Sequence, residues 1–565
     1  MSNDLRTPYE QGNKNQTTTW ADCIAYYEQL ARAYPQVLHF GVAGTSDSGL
    51  PIHYGVVSSD GMFDRDAIKS AGRPVFFNNN GIHPGEPEGV DACMALVRNF
   101  CVQPERLAAL GQTVFLFIPL YNVDGSINRA NTSRVNQEGP ELFGFRGNAR
   151  HLDLNRDFIK CDTLNAQTFN KFFTAWDPDV MVDTHTSNGA DYPYTMTLIH
   201  TQTDKLGGAL GAFLQDTMLP HMFSEMDKRG WPTCPYVNPV KDSPDHGIAE
   251  FLETPRFSTG FAALHHTIGF MPETHMLKSF EARYDSMRAL VETTLDFTIA
   301  NASTIQQLRR AARDEGKARR EWPIHWAMDE SKPATFRFKG YAAKYSASKL
   351  GSYTRLAYDR NEPWERDIAY FNHFPVDVSV VTPRAYVVPQ GWREVVERLQ
   401  WNGVQMEQIR EERVQEVQVY RIRSVTSRSG AYEGHMFHDD MELEKETAQI
   451  TLRPGDWWVP LDQDQARYAI ETLEPQGHDS FFRWGFFNSV LEKKEAYSDY
   501  VFEDHAMQLL EEEPGLRVKF EAWKVANPSK LNDQAAVLDF IFANCERWIE
   551  PEWCRYPVLS VLRSI

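Results

Sequence analysis

The chain has 565 residues, more than a single core of about 250 to 300 residues accommodates, so two or more domains are expected. Hydrophobic residues at 42% and charged residues at 24% exclude a disordered chain. The formal charge of −19 repels phosphate backbones and anionic headgroups, so nucleic acid is not an expected partner.

No apolar run approaches the roughly 20 residues that span a bilayer. The opening MSNDLRTPYEQGNKNQTTTW contains no signal-peptide core. No membrane association is expected, and the location is expected to be cytoplasmic, or periplasmic or secreted if a leader has been removed. Cys23, Cys93, Cys101, Cys161, Cys234, Cys545 and Cys554 form no C-x-x-C pair. Buried free thiols are therefore expected, not a disulfide framework or a thiolate zinc site.

From about residue 20 to 300, short apolar runs alternate with helical patterns. This predicts an α/β domain with a mixed, mostly parallel sheet and helices on both faces. In chain order, a helix is predicted over Trp20 to Tyr34, strands over Leu50 to Val57 and Pro74 to Asn78, and a helix over Glu88 to Phe100. Strands follow over Thr113 to Pro119, Asp179 to Asp183 and Thr267 to Thr274, then a helix over Phe280 to Ala300. A charged helical stretch from Ser303 to Glu321 leads to a change of composition. The expected division is an α/β domain over 15–320, a smaller, largely antiparallel β-rich module over 334–460, and a mostly helical segment over 461–565 that packs back on the others. Strands of the module are predicted over Thr335 to Tyr341, Val376 to Val381, Val414 to Val425 and Ala448 to Leu452.

Several predicted strands end in residues that a core would not choose. His83 and Glu86 stand in the loop IHPGEPEG, and NVDG (122–125), DTHTS (183–187) and PETH (272–275) end others. Parallel strands bring their carboxyl ends to one rim, where open α/β sheets form their ligand crevice. His83, Glu86, His185 and Glu273 are thereby expected to converge. Two imidazoles and one carboxylate make a zinc set with a position left open for water, and the remaining glutamate would be the base. In FGFRGNARHLDLNRDF, Arg146, Asn148, Asn155 and Arg156 accompany Asp153. Arginines beside a metal rim suit recognition of a carboxylate, and either one alone equally suits a surface pair with a neighbouring Asp.

In their order along residues of about 15 to 300, H-x-x-E (83, 86), N-x-D-G (122–125), R-x-N (146–148), D-L-N-R-D-F (153–158), His185 and Glu273 resemble the zinc carboxypeptidases of the A and B type, the funnelins. The HPGE wording is closest to the cytosolic carboxypeptidase branch. The resemblance implies a zinc carboxypeptidase-like fold and one Zn²⁺ per chain, held by His83, Glu86 and His185. It makes Glu273 the general base and proton shuttle and Arg146 the oxyanion stabiliser, with Asn155 and Arg156 clamping the free carboxylate of a peptide substrate. Arg256 lies where such a specificity pocket is built and would read an acidic or polar side chain. The family's tyrosine on a mobile loop shortly before the catalytic glutamate has no counterpart in EFLETPRFSTGFAALHHTIG.

The implied activity is hydrolysis of the C-terminal peptide bond by a metallocarboxypeptidase. The alternatives are a zinc amidase or deacylase acting on N-acyl amino acids or cell-wall peptides, and a non-catalytic peptide-binding protein. No oligomeric state follows from the sequence. His435, His438 and Asp439 are expected in a solvated hairpin loop, and FFRWGFF (481–487) in an interdomain core.

Overall fold

The computed structural model describes residues 5–548, 550 and 552–563. The chain before residue 280 builds a nine-stranded mixed sheet. Its strands are β1 (Leu38–Thr45), β2 (Pro51–Val57), β3 (Val75–Asn79), β4 (Val114–Ile118), β5 (Val180–Asp183), β6 (His185–Ser187), β7 (Met196–His200) and β8 (Thr233–Pro235). Two short strands, β9 (Asn238–Pro239) and β10 (Ile248–Ala249), precede the last, β11 (Ile268–His275). The order is β1-β2-β4-β3-β5-β11-β7-β8, with β6 beside the end of β11. β4, β3, β5 and β11 are mutually parallel, β1 and β2 pair antiparallel with each other and β2 with β4, and β7 runs antiparallel to β11 but parallel to β8.

β3, β4 and β5 are buried at every position. This is why they read as continuous apolar runs and not as alternating ones. The helix Trp20–Ala33 begins at Thr19, whose hydroxyl accepts the Asp22 N–H, and Phe280–Ala318 begins at Ser279, which caps Ala282 in the same way. The latter helix does not stop near residue 300: it runs through the charged stretch to Ala318. Local amphipathicity is weak there, and tertiary anchors hold it. Arg309 donates to Asp177 and Asp179, and Gly316 lies against the Trp322 ring.

The strands of the β-rich region enter more than one sheet. The hairpin of Ala334–Ala347 and Thr354–Phe371 joins β10 in parallel, with Ile248 opposite Tyr370, so it extends a sheet begun in the first half. A separate six-stranded sheet contains the long hairpin Arg413–Ser427 and His438–Leu452 and takes in Leu559–Val561 from the chain's end. Phe481, Phe482, Trp484 and Phe487 are fully buried, in one core with Phe169, Phe173 and Phe261 of the first half, as the interdomain reading expects. Among the described residues no helix is long and apolar enough to cross a membrane.

Candidate metal centre and its crevice

The carboxyl ends of β3, β5 and β11 meet at a crevice of about 330 Å³. His83 and Glu86 enter it from the loop after β3, and His185 from β6 beyond a break at Thr184. Glu273 enters from β11. Gly89 seats the following helix closely beneath them, since a Cβ there would lie 2.0 Å from the Thr184 hydroxyl.

One ligand atom each from His83, Glu86 and His185 lies within 4.8 Å of the others, and all three residues are buried. His83 Nε2 is 2.8 Å from Asp153 Oδ1, and His185 Nε2 is 3.0 Å from Asp183 Oδ2. Each imidazole therefore turns its Nδ1 towards Glu86, at 3.3 Å from His83 and 3.2 Å from His185. His83 Nδ1 and Glu273 Oε2 are buried without a hydrogen-bond partner. A carboxylate behind each imidazole, with both Nδ1 atoms and the Glu86 carboxylate facing one point in front, is the arrangement a divalent cation requires of histidine ligands, so the residues present fit a zinc ion.

The electrostatics agree. Burial opposes ionisation of Glu86, but the Arg134 guanidinium and the two imidazoles hold its carboxyl well below the usual range. Asp183 and Glu86 overcome burial and hold the His185 imidazole well above its ordinary pKa. Burial, reinforced by Glu86 and Glu253 and opposed by His185, pushes the Glu273 carboxyl up to about 8. A cation beside it would counter that shift.

Arg146 donates from Nε to Asp153 at 2.8 Å and lies 3.4 Å from Glu86 Oε1. Arg156 stacks on Phe257 at 4.4 Å, with Asn155 beside it on the crevice wall. The Asn155 side-chain oxygen Oδ1 accepts the Ser258 N–H at 3.2 Å, fixing which end of the amide remains for a ligand. Seven of the sequence-derived site residues are thus gathered at one crevice: His83, Glu86, Arg146, Asn155, Arg156, His185 and Glu273.

Arg256 is the exception. Its Nε donates to Asp479 at 2.7 Å, its guanidinium lies over Phe437 at 4.4 Å, and it does not line the crevice. A carboxylate from the C-terminal segment has captured it, so the specificity role expected from its position is not available to it. His435 and His438 also differ from expectation. His435 bridges Asp162 and the Trp484 carbonyl, and His438 is buried between Ser427 and Asn488, so both are structural contacts.

Three crevice residues escaped the sequence reading. Arg134 donates to Glu86 at 2.7 Å and to the Thr186 carbonyl at 2.8 Å. Tyr236, just after β8, lines the wall. Glu253 is buried there, accepting from the Thr259 hydroxyl and N–H, and burial pushes its carboxyl up to about 7. None sits in a motif. The only signal was the oddity of a carboxylate in EFLETPRF, a stretch otherwise read for a missing tyrosine.

Residues 23–209 match the family described as zinc carboxypeptidase. The chain is 22% identical over 432 residues to carboxypeptidase 2 of Trichophyton rubrum, covering 72% of each chain, and equally to that of Trichophyton equinum. A solved metallo-carboxypeptidase from Burkholderia cenocepacia aligns with a TM-score of 0.38 at 13% identity, over 51% of this chain and 70% of that one. The His-Glu-His cluster joins segments after β3 and β5, both inside the stretch that matches the zinc carboxypeptidase family.

Proposed function

We propose that the protein removes the C-terminal residue of peptides at this crevice, with His83, Glu86 and His185 holding one zinc ion. The observation that carries the reading is the pair of imidazoles, each backed by an aspartate and each turning Nδ1 towards Glu86. When bound, zinc supplies Lewis acidity, lowering the pKa of an adjacent water from 15.7 towards about 7 and polarising the scissile carbonyl.

The chain's own groups then divide the work. Glu273, with an unpartnered Oε2 facing the same space, takes the proton of the attacking water and returns it to the leaving amine nitrogen. Arg146 offers its guanidinium where negative charge develops on the carbonyl oxygen, an interaction stronger in the transition state than in the ground state. Asn155 and Arg156 grip the terminal carboxylate, and the stacking of Arg156 on Phe257 restricts the fork to one plane. Tyr236 supplies a phenol on the wall, from a position well before the stretch in which the sequence lacks a tyrosine. Registering the chain end beside the metal centre makes the last peptide bond the one cleaved.

The test is hydrolysis of a peptide library with free and amidated C-termini, with and without a chelator. Chelator-sensitive release of single C-terminal residues from free termini is expected. Turnover confined to N-acyl amino acids would replace this reading with an amidase, and turnover that survives complete metal removal would end both.

A further inference from the structure

The hairpin Arg413–Ser427 and His438–Leu452 belongs to the six-stranded sheet, yet its tip reaches the crevice loop. At that tip the Glu433 carboxylate accepts the backbone N–H of Asp153 at 2.9 Å. Asp153 is the residue whose carboxylate meets His83 Nε2 at 2.8 Å and Arg146 Nε at 2.8 Å, and Asn155 and Arg156 follow it directly. Leu154–Arg156 forms a single turn of 3₁₀ helix, too short to hold itself in place.

Glu433 sits at φ 48°, in the left-handed region that non-glycine residues enter at a cost. Gly434 follows at φ 84° and would have been the easier residue at either position. The strained backbone is matched by the use of the side chain, which a glycine could not provide. The loop is gripped again downstream: His435 Nε2 lies 2.7 Å from Asp162, and Arg398 donates to the Lys160 carbonyl at 2.5 Å and to Asp162 at 3.2 Å.

We propose that Glu433 is a positioning residue for the crevice, through which the hairpin of the second half sets the turn carrying Asp153, Asn155 and Arg156. It does not itself line the crevice. It fixes the backbone from which the clamp and the support of His83 project. Because the clamp acts on a terminal carboxylate, the proposal rests on the carboxypeptidase reading, and removing Glu433 is expected to weaken substrate binding more than the chemical step.

The experiment compares wild type with Glu433→Ala, Glu433→Gln and, on the same hairpin far from the tip, Glu444→Gln. Each full-length protein is assayed on acetylated tripeptides bearing each C-terminal residue. Calorimetry measures binding of the same peptides to the chelator-treated proteins, and thermal melts are recorded throughout. Turnover by wild type tests the activity itself, independently of the variants. Glu433→Ala is expected to raise KM about tenfold with kcat changed less than threefold, and to weaken peptide binding to the metal-free protein in step. Glu433→Gln, whose amide oxygen still accepts the Asp153 N–H, is expected to stay within twofold of wild type, as is Glu444→Gln. Wild-type KM in Glu433→Ala would overturn the proposal. So would equal damage from Ala and Gln, or a loss that merely tracks a lowered melting temperature.

Discussion

Glu273 on β11 stands directly opposite His185 on β6 in a parallel ladder, so carboxylate and imidazole are set by one register. A slip of one residue would turn Glu273 to the other face of the sheet while leaving the histidine in place. The relative placement of this carboxylate and this imidazole is therefore inherited from strand pairing, whereas His83, Glu86 and the arginines depend on their loops.

Glu273→Gln preserves that pairing and removes only the proton acceptor. We expect kcat to fall by about 10² to 10⁴ with metal content unchanged. His83→Ala, by contrast, is expected to lose the metal. Turnover assayed alongside elemental analysis separates the two, and wild-type turnover in the Gln variant would show that another group is the base.

Asp183 lies behind His185 and also accepts from the Asn79 amide at 2.9 Å. Asp183→Asn keeps the shape but takes away the charge that orients the ring and raises its basicity. Metal affinity is expected to drop by about 10 to 100-fold in chelator competition. Unchanged affinity would mean that the aspartate supports only the fold.

Arg156→Ala is expected to weaken free-carboxylate peptides far more than C-terminal amides, by about 1.5 to 3 kcal/mol for a charge-assisted contact. Comparing kcat/KM on matched acid and amide substrates checks this. Equal losses on both would remove the clamp assignment.

What could be read beforehand was whatever strand direction dictates. His83, His185 and Glu273 end apolar runs in polar residues, and parallel strands share a rim, so their convergence follows without knowledge of any loop. Arg134 and Tyr236 come from irregular segments with no period to place them. The capture of Arg256 is not legible in the sequence because its partner, Asp479, lies 223 residues away in another part of the fold. The hairpin 334–371 was legible as strands, but its attachment to the two-residue β10 was not, because so short a strand leaves no pattern.

Asp91 offers a test independent of catalysis. Its carboxylate meets the Thr17 hydroxyl and the Thr18 N–H, and burial pushes its pKa up to about 7 from an ordinary 3.8. The folded protein then binds more protons than the unfolded chain between those values, so this group's contribution falls as pH rises from about 4 to 7. Asp91→Asn should remove that component, gaining stability relative to wild type at pH 8 more than at pH 5. Denaturant midpoints at the two pH values measure it, and identical differences at both would show that the carboxyl does not titrate in this range.

Rings run in a contact series from the first half to the second: Phe173 edge-to-face with Phe261 at 5.2 Å, Phe261 tilted against His265 at 4.9 Å, and His265 tilted against Tyr468 at 5.7 Å. The peptidase half thus has no finished outer surface of its own on that side. Cutting the gene after the long helix would release a fragment with bare aromatic flesh, prone to clump before it could be assayed, and any search for a smaller functional unit must keep the segment that carries Tyr468.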